Sequence, residues 1–322
     1  MKLSIVIVSW NVKDDLLACL RSIEQNPPSE EFEVIVVDNA STDGSAEAVR
    51  NLFPRVMLIP NSQNMGFAAA NNVGIKKARG SHVLLLNPDT IVHDGTLDAL
   101  IKFMDENKDV GICGPKLLNP DGTTQPSTRR FPTMRGILHH HTIFRFIPVF
   151  RGHHRKWLMK DFTHDHQEDV DQVMGAALMA RRSVLEELGG MDEAFFMYYE
   201  EVDLCYRLKQ LGWRIVFTPT ARITHNAGRS AAQIPVERRL MKLKSALRFL
   251  RKHHPPRSVL LFNILFKPAA LLQDIYHILT GLLTIPFALV TADGRKLRQG
   301  ARKVARSAVF LAKYSWQVLF RI

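Results

Sequence analysis

Cysteine is scarce in this sequence. Cys19, Cys113 and Cys205 are the only three among 322 residues, they lie far apart, and no Cys-x-x-Cys spacing occurs. This pattern excludes a disulfide framework and a cysteine zinc site, and it is typical of reduced thiols in a cytosolic protein.

Signals for secretion and for the common phosphate-binding loops are also missing. The apolar run from Leu3 to Trp10 is followed at once by Asn11, Lys13 and Asp14, with no small-residue cleavage site. We therefore expect a first strand here and no signal peptide. There is no internal repeat, and the first strand-to-helix turns contain no Walker or Rossmann glycine pattern.

Acidic residues are rare in the C-terminal part of the chain. Residues 230–322 contain 17 Lys and Arg but only 3 Asp and Glu, whereas residues 1–229 contain 26 and 28, so the net charge of +12 arises from the C-terminal part. Such a surplus suits an anionic membrane surface or nucleic acid. The basic residues flank apolar stretches and do not interleave with aromatic side chains, so we expect no nucleic acid partner.

The apolar part of this tail has two interpretations. Residues 275–292 form a run of 18 residues without Lys, Arg, Asp or Glu. This length is at the lower limit for a helix that spans a membrane, and Pro286 interrupts the run. They form either a buried helical hairpin or a membrane-associated hairpin with interfacial helices, and the basic charge favours the second. We expect residues 231–322 to be a helical, membrane-associating extension. The protein would then be cytoplasmic and peripheral or monotopic at the inner face of the cell membrane, and whether 275–292 spans the membrane stays open.

Apolar runs and helical segments alternate in the N-terminal part. Four apolar runs alternate with three helical segments within 90 residues, and a further helix and strand follow. The first run, Leu3 to Trp10, is rich in β-branched residues. This order predicts an α/β fold with an open, mostly parallel sheet flanked by helices. Residues 117–168 have no clear period and are predicted to be a long functional surface region.

Polar residues follow the first two predicted strands. Ligands bind at the carboxyl ends of strands in such sheets, so Ser9 and Asn11 after the first strand are candidates. Asp38 ends the second strand too early to cap the next helix, and we expect it to contact a ribose or base edge. Asp43 or Ser45 is the expected helix cap.

Two further turns carry candidates. Asn64 and Gly66 lead into a helix rich in alanine, a weak signal because packing alone explains the small residues. After the fourth strand, Pro88 holds Asn87 and Asp89 in one rigid turn. Mg²⁺ is commonly shared between one or two carboxylates and substrate phosphates, so Asp89 is a candidate metal ligand.

Three carboxylates crowd the start of a predicted helix near residue 199. Asp203 lies four residues before Arg207, the spacing of an ion pair on a helix surface, and is predicted to be exposed. Glu200 and Glu201 flank the stripe of Leu204, Leu208 and Leu211 at similar angles. Both occupy the first turn, where the helix dipole favours the ionised form of a general base. The pattern alone leaves the choice between them open.

Histidines fall into two groups. His225 follows a strand and is either a packed core residue or a ligand. The triple His139 to His141 and the pair His153 and His154 are predicted to lie in loops and not to bind zinc, because adjacent histidines point apart and no cysteine accompanies them.

Seven motifs occur in a specific order. They are VSWN, VVDNASTDGS, NMGFAAANN, LLLNPDT, GAALM, FFMYYEEVDLCYRLKQLGW and ITHNAG. This ordered set resembles the family 2 glycosyltransferases, and among them the rhamnosyltransferase-like branch, in which Asn-Pro-Asp replaces Asp-x-Asp. The resemblance covers about residues 1–230.

The resemblance implies a GT-A fold, a nucleotide-diphosphate sugar donor, Mg²⁺ or Mn²⁺, and inversion at the anomeric carbon. By position, Asp38 would hold the nucleoside, Asp89 the metal and diphosphate, and His225 the metal or diphosphate. The base would fall at Glu201, with Glu200 as its neighbour. Here the chain departs from the family, which usually has Asp at the position of Glu201.

The expected function is therefore inverting transfer of a sugar, for which the resemblance suggests rhamnose, to a lipid-linked or cell-surface glycan. Residues 117–168 would form the acceptor side. The alternatives are a nucleotidyltransferase of the same fold, although Ser9-Trp10-Asn11 replaces the glycine-rich basic turn that it needs, and a non-catalytic membrane subunit that binds sugar nucleotides or glycans.

Overall fold

The chain folds into two compact units. The structure, a computed structural model, describes residues 1–228 and 232–322. Met1–Phe131 and Leu158–Ala232 form the first unit, and Pro132–Trp157 and Gln233–Ile322 form the second. The predicted boundary between residues 230 and 231 lies outside the described residues.

The first unit contains the predicted α/β domain. Its strands are β1 (Leu3–Ser9), β2 (Phe32–Asp38), β3 (Met57–Pro60), β4 (His82–Leu86), β5 (Thr90–Val92), β6 (Val110–Leu118), β7 (Thr124–Gln125), β8 (Thr128–Arg129), β9 (Glu168–Asp169), β10 (Gln172–Val173), β11 (Ala177–Arg181) and β12 (Arg214–His225). Its helices are α1 (Lys13–Gln25), α2 (Ser45–Leu52), α3 (Phe67–Lys77), α4 (Thr96–Glu106), α7 (Arg182–Glu187) and α8 (Glu200–Gln210).

One large sheet runs through this unit. Its strand order is β3-β2-β1-β4-β11-β6-β12-β5, with β7 beside β6 and β9 beside β12. The strands β3, β2, β1 and β4 are mutually parallel, and β11 lies antiparallel between β4 and β6. All seven residues of β1 are buried, as a central parallel strand requires. The predicted open and mostly parallel α/β sheet is confirmed.

Helices cover both faces of the sheet. Leucines of α1 and α4, such as Leu16 and Leu100, pack on one face. Alanines of α3 and leucines of α8, such as Ala68 and Leu204, pack on the other. Because α3 is built from small residues it lies close to the sheet, and a Cβ on Gly74 would collide with the side chain of Val6.

The second unit is helical and changes the interpretation of residues 117–168. Its helices are α5 (Met134–His141), the 3-10 helix Ile143–Phe146, α6 (Pro148–Trp157), α9 (Pro235–His253), α10 (Pro256–Val290) and α11 (Gly294–Phe320). The region predicted to be one surface loop is therefore divided. Its middle part, Pro132–Trp157, folds with the C-terminal helices, because Ile137, Leu138 and Trp157 bury side chains there.

The histidines predicted to lie in loops are in helices. His139 to His141 end α5, and His153 and His154 lie in α6. Pairing of the two helices brings His140 Nδ1 to 3.0 Å from His154 Nε2. The prediction of loops is wrong because two short helices, each of about two or three turns, are too brief to show a period.

α10 is one long helix. The helix continues through Pro268 and Pro286, although proline inside a helix usually kinks or breaks it. Pro286 therefore does not end the apolar helix. Among the described residues, Pro256–Val290 is the one helix long and apolar enough to cross a membrane by length and composition. α11 packs antiparallel to it, and Gly281 and Gly300 lie against each other. A Cβ added to Gly281 would lie 2.9 Å from the Gly300 carbonyl oxygen, and one added to Gly300 would lie 3.1 Å from the Gly281 carbonyl oxygen.

Candidate active site

The ends of the first two strands place unsatisfied polar atoms side by side. Ser9 pairs with Asp38 in the sheet, and both residues are buried. One carboxylate oxygen of Asp38 accepts a hydrogen bond from the Ser41 N–H at 3.1 Å. The other oxygen and the Ser9 hydroxyl have no partner within the part of the chain that the structure describes. Buried polar atoms of this kind suit the hydroxyl or amide groups of a ligand.

Asn11 holds two loops together. Its side-chain oxygen accepts from the Thr42 N–H at 2.7 Å, and its own N–H donates to Ser41 Oγ at 3.0 Å. Its φ of 52° is in the left-handed region. The nearby acid Asp43 accepts from the N–H groups of Lys13 and Ser45, the first residues of α1 and α2. The N-cap of α2 is Gly44, so the prediction of Asp43 or Ser45 at that position is wrong.

Asn64 and Gly66 belong to a network centred on Asn39. The Asn39 amide donates to Asn64 Oδ1 at 2.8 Å, and its oxygen accepts from the Met65 N–H at 3.0 Å. Gly66 has a φ of 84°, and a Cβ at this position would lie 2.5 Å from the carbonyl oxygen of Phe196. The start of α3 is thereby bound to the loop that precedes α8. Sequence reasoning missed Asn39, which follows directly after Asp38 in the same motif.

The turn after β4 and the end of β12 meet. Asp89 and His225 are both buried, and Asp89 Oδ1 lies 3.3 Å from His225 Nε2. The Asn226 N–H donates to the Asp89 carbonyl at 2.8 Å. The buried side-chain oxygen of Asn87, in the same turn, has no partner among the described residues. These three predicted residues therefore share the sheet edge at which β4 ends.

Gln125 determines which ring nitrogen of His225 carries the proton. Its amide nitrogen donates to Asn119 Oδ1 at 2.9 Å and to the His225 carbonyl at 3.2 Å. Its oxygen, 2.7 Å from His225 Nδ1, must then accept from that nitrogen. In neutral His225 the Nε2 lone pair thus faces the carboxylate of Asp89, and two acceptors at 3.3 Å require a proton or a cation between them.

This pair fits a divalent cation that is shared with substrate. A carboxylate oxygen is the ligand preferred by Mg²⁺ and Mn²⁺, and a neutral imidazole nitrogen is a common second ligand. Within residues 1–228 and 232–322 no group of three or more His, Cys, Asp or Glu side chains is placed to hold a metal. A cation here would therefore take its remaining ligands from water or from a diphosphate.

The carboxylates of α8 follow a strained backbone. Tyr198 and Tyr199 have φ values of 70° and 68°, which bulky residues rarely adopt. The helix begins at once with Glu200, 5% exposed, and Glu201, partly buried. One carboxylate oxygen of each is buried without a partner among the described residues.

Burial dominates the electrostatics of these two groups. Burial, and then the charge of Glu201, raise the pKa of the Glu200 carboxyl well above its usual range. Burial also raises the pKa of Glu201, but the positive charge of Arg129 opposes that rise. When the pair carries one negative charge, Arg129 therefore favours its location on Glu201. No periodic pattern surrounds Arg129 in the sequence, which gave no signal of this role.

Asp203 is the opposite of what the spacing predicts. It is completely buried, and its carboxylate accepts from Arg207 Nε at 2.7 Å. Arg207 also donates to the carbonyls of Leu188 and Gly190. The i,i+4 pair is correct, but the prediction of an exposed residue is wrong. The loop 188–190 covers this face of α8, whereas Leu211, expected on the buried stripe, is 47% exposed.

A glycine lies against Glu201. A Cβ on Gly175 would be 3.6 Å from the Glu201 Cβ and 3.8 Å from the ring of Phe67. A larger residue would fill the space beside the Glu201 side chain. The GAALM motif thus places a residue without a side chain against Glu201, two positions before β11.

The sheet order and the polar strand ends define a GT-A nucleotide-sugar transferase fold. The mannosyltransferase PcManGT from Pyrobaculum calidifontis, solved with GDP-Man and Mn²⁺, has this fold: it matches 99% of this chain and 87% of its own at a TM-score of 0.56 and 18% identity. The family model described as Glycosyl transferase family 2 matches residues 4–189. The chain belongs to this family and is a glycosyltransferase.

Relatives of known name agree with the rhamnosyltransferase-like resemblance. N-acetylglucosaminyl-diphospho-decaprenol L-rhamnosyltransferase of Mycobacterium tuberculosis is 31% identical over 250 residues, 74% of this chain and 79% of that protein. Rhamnosyltransferase WbbL of Escherichia coli is 24% identical over 257 residues, 77% of this chain and 92% of that protein. The predicted family and branch are confirmed.

Proposed function

We propose that this protein is an inverting glycosyltransferase that passes a sugar from a nucleotide-diphosphate donor to a lipid-linked or cell-surface glycan. The observation that carries the proposal is the buried pair of Asp89 and His225, in which Asp89 Oδ1 lies 3.3 Å from His225 Nε2. Such a pair at the carboxyl ends of the strands is suited to a cation bound to a diphosphate.

The donor would lie along the edge formed by β1, β2 and β4. Ser9 and Asp38 offer unpartnered polar atoms to the nucleoside, and Asn87 offers its side-chain oxygen to the donor in the neighbouring turn. Asn11, Asn64 and Gly66 shape the surrounding loops through their own hydrogen bonds. We assign them to the donor side as residues that position the backbone.

Asp89 and His225 would hold Mg²⁺ or Mn²⁺. A bound cation supplies positive charge to the departing diphosphate. Asp89 contributes a formal charge, and Gln125 keeps the proton of His225 on Nδ1 so that Nε2 stays available.

Glu201 is our candidate for the general base. The acceptor hydroxyl oxygen bonds to the anomeric carbon while the bond from that carbon to the diphosphate oxygen breaks. The hydroxyl proton passes to the Glu201 carboxylate, and the nucleoside diphosphate leaves with the bonding electrons. Burial raises the pKa of both carboxyls, but Arg129 opposes the rise at Glu201, so Glu201 is the favoured location for a negative charge on the pair.

The relatives guide the choice of substrates. The name of the Mycobacterium tuberculosis relative specifies L-rhamnose and a diphosphate-linked polyprenol acceptor. We propose a sugar donor of this class, with rhamnose first, and an acceptor linked to a lipid diphosphate. The long apolar helix α10 and the basic charge of the second unit support a peripheral or monotopic position at the membrane.

Donor turnover tests this function. Purified full-length protein is incubated with a panel of UDP-, GDP- and dTDP-sugars, with and without Mg²⁺ or Mn²⁺, and release of the nucleoside diphosphate is measured. We expect one donor class to turn over only with metal, and Asp89→Ala to reduce that turnover by about 100-fold or more. Asp94→Ala, which removes an exposed acid two residues beyond β5, is the matched control.

If the folded protein turned over no donor with either metal, the proposed enzyme function would be excluded. Retention of full sugar transfer by Glu201→Gln would remove this residue as the base. Incorporation of label from a nucleoside triphosphate would favour a nucleotidyltransferase of the same fold.

A further inference from the structure

The second unit contains a cavity that the proposed chemistry does not use. It has a volume of about 630 Å³, within the roughly 300–1,000 Å³ that is usual for small-molecule sites. It opens between the first turn of α9, the middle of α10 and the N-terminal half of α11. Pro235, Val236 and Arg239 line it from α9, and Asp274 and His277 line it from α10.

The α11 wall of the cavity is a basic stripe. Arg295, Arg298, Arg302, Lys303 and Arg306 line it, together with Gln299 and Ser307. These positions recur every three or four residues and therefore share one face of the helix. The five cations extend over about 16 Å of the helix axis. We call this group the basic stripe.

The charge of the basic stripe is not compensated. Asp274 is the one acid among the cavity-lining residues, and it is engaged by Arg239 at 2.8 Å and by the Ser307 hydroxyl at 3.3 Å. Within the described ranges, no carboxylate lies at ion-pair distance from the five cations of the stripe. Lys296, by contrast, lies off the stripe and pairs with Asp293 at 3.4 Å. A cavity with so many unpaired guanidinium groups is suited to an anion that carries more than one charge.

The same unit also exposes apolar surface. α10 exposes many large side chains, among them Leu261, Leu279 and Leu283, of which Leu283 is 75% exposed. α11 exposes Trp316 and Phe320 near its end. Exposed leucines beside basic side chains are typical of a helix that lies at a lipid surface. Phe310, the one Phe, Tyr or Trp among the described lining residues, is buried, so none of these side chains offers an exposed stacking platform for bases.

We propose that the basic stripe and its cavity bind the diphosphate headgroup of a membrane lipid. A diphosphate ester carries at least two negative charges and matches several arginines, whereas the phosphodiester of an ordinary phospholipid carries one. The site rests on the proposed function in one respect, since the lipid diphosphate would be that of the sugar acceptor. Recognition of the headgroup is a property of the second unit and requires no donor.

Vesicle flotation of the full-length protein tests the site. Three vesicle types are compared: phosphatidylcholine alone, phosphatidylcholine with phosphatidylglycerol, and phosphatidylcholine with a small fraction of polyprenyl diphosphate. The test variant is Arg298→Gln with Arg302→Gln, two exposed side chains whose loss leaves the core intact. The control is Lys296→Gln with Lys313→Gln, which removes the same charge from α11 outside the cavity.

We expect the test variant to bind polyprenyl diphosphate vesicles about tenfold more weakly than the control variant does. Both variants should bind phosphatidylglycerol vesicles equally, because diffuse attraction depends on total charge. Inorganic pyrophosphate should compete with the wild type on the diphosphate vesicles.

Equal losses in both variants on the diphosphate vesicles would overturn the site, and so would equal affinity of the wild type for phosphatidylglycerol and polyprenyl diphosphate. Preferential binding of a single-stranded oligonucleotide through the same two arginines would overturn it in favour of nucleic acid. Asp89→Ala should bind vesicles like the wild type, and the Arg298 and Arg302 variant should retain donor hydrolysis. Failure of the headgroup site is therefore distinguishable from failure of the enzyme function.

Discussion

Asp203 and Arg207 form an ion pair at 2.7 Å whose acidic member is completely buried. Because the guanidinium also holds the carbonyls of Leu188 and Gly190, the pair ties α8 to the preceding loop. Asp203→Asn should lower the free energy of unfolding by about 2–4 kcal/mol, since it leaves a partly buried charge without its partner.

Denaturant unfolding measures this loss. The control is Glu106→Gln, which removes an exposed i,i+4 pair with Lys102 and should change stability by no more than about 0.5 kcal/mol. A similar loss of unfolding free energy in both variants would show that the buried pair stabilises the fold no more than an exposed pair does.

Gly66 permits the close approach of α3 to the loop before α8. Gly66→Ala adds a Cβ at 2.5 Å from the Phe196 carbonyl and holds alanine at a φ of 84°, so we expect a loss of about 2–4 kcal/mol in unfolding free energy. Gly122→Ala is matched in φ, at 82°, but has open space around it and should lose only about 1 kcal/mol. An equal loss at both positions would mean that backbone conformation, and not the contact with Phe196, sets the requirement.

Gln125 is predicted to tune the cation site without touching the cation. Gln125→Met frees the Nδ1 proton of His225 from its acceptor, and we expect Mn²⁺ affinity to fall by about 10- to 100-fold. Titration of Mn²⁺ followed by electron paramagnetic resonance measures this directly and requires no turnover. Thr124→Val, in the same short strand, serves as the control, and a shift as large in this variant would point to a general disturbance of β7.

Arg129 is predicted to set the pH at which the base becomes active. Burial raises the pKa of Glu201, and the charge of Arg129 opposes that rise. Because Glu201 must be ionised, activity falls as pH drops through that pKa. Arg129→Met should move the acidic limb of the kcat/KM profile to higher pH. Arg130→Met is the control, because Arg130 pairs with Glu168 at 3.1 Å and should leave the limb in place. If the acidic limb of the Arg129→Met profile stayed at the wild-type pH, Arg129 would have no effect on the ionisation of the base.

Glu200 makes stability depend on pH with a defined sign. Its pKa is well above the ordinary 4.5 in the folded protein, so between these two values the folded state binds a proton that the unfolded chain does not. Stability contributed by the protonated carboxyl is complete below about pH 4.5 and is lost as pH rises toward the folded pKa. Glu200→Gln should therefore become more stable relative to the wild type as pH rises.

Unfolding free energies across this pH range test the sign. Glu187→Gln, at an exposed position of α7, should show no such trend. A stability gain of Glu200→Gln that is constant with pH would indicate packing and not the suppressed ionisation.

Local sequence patterns were enough to predict the sheet and the positions of its polar ends. Hydrophobic runs such as Leu3 to Trp10 and their alternation with helices are local signals, and a parallel α/β sheet follows from them with few alternatives. The turn residues Asp38 and Asp89 could be selected because strand ends can be located without knowledge of what packs against them.

Which side chains meet could not be predicted from these local patterns and follows from the packing of distant segments. The burial of Asp203 depends on the loop that covers α8, and the proximity of Arg129 to Glu201 depends on strand pairing across a region without periodicity. The partner of His225 is Gln125, 100 residues earlier in the chain. Contacts between distant segments depend on how the chain closes on itself, and hydrophobic periodicity carries no information about that closure.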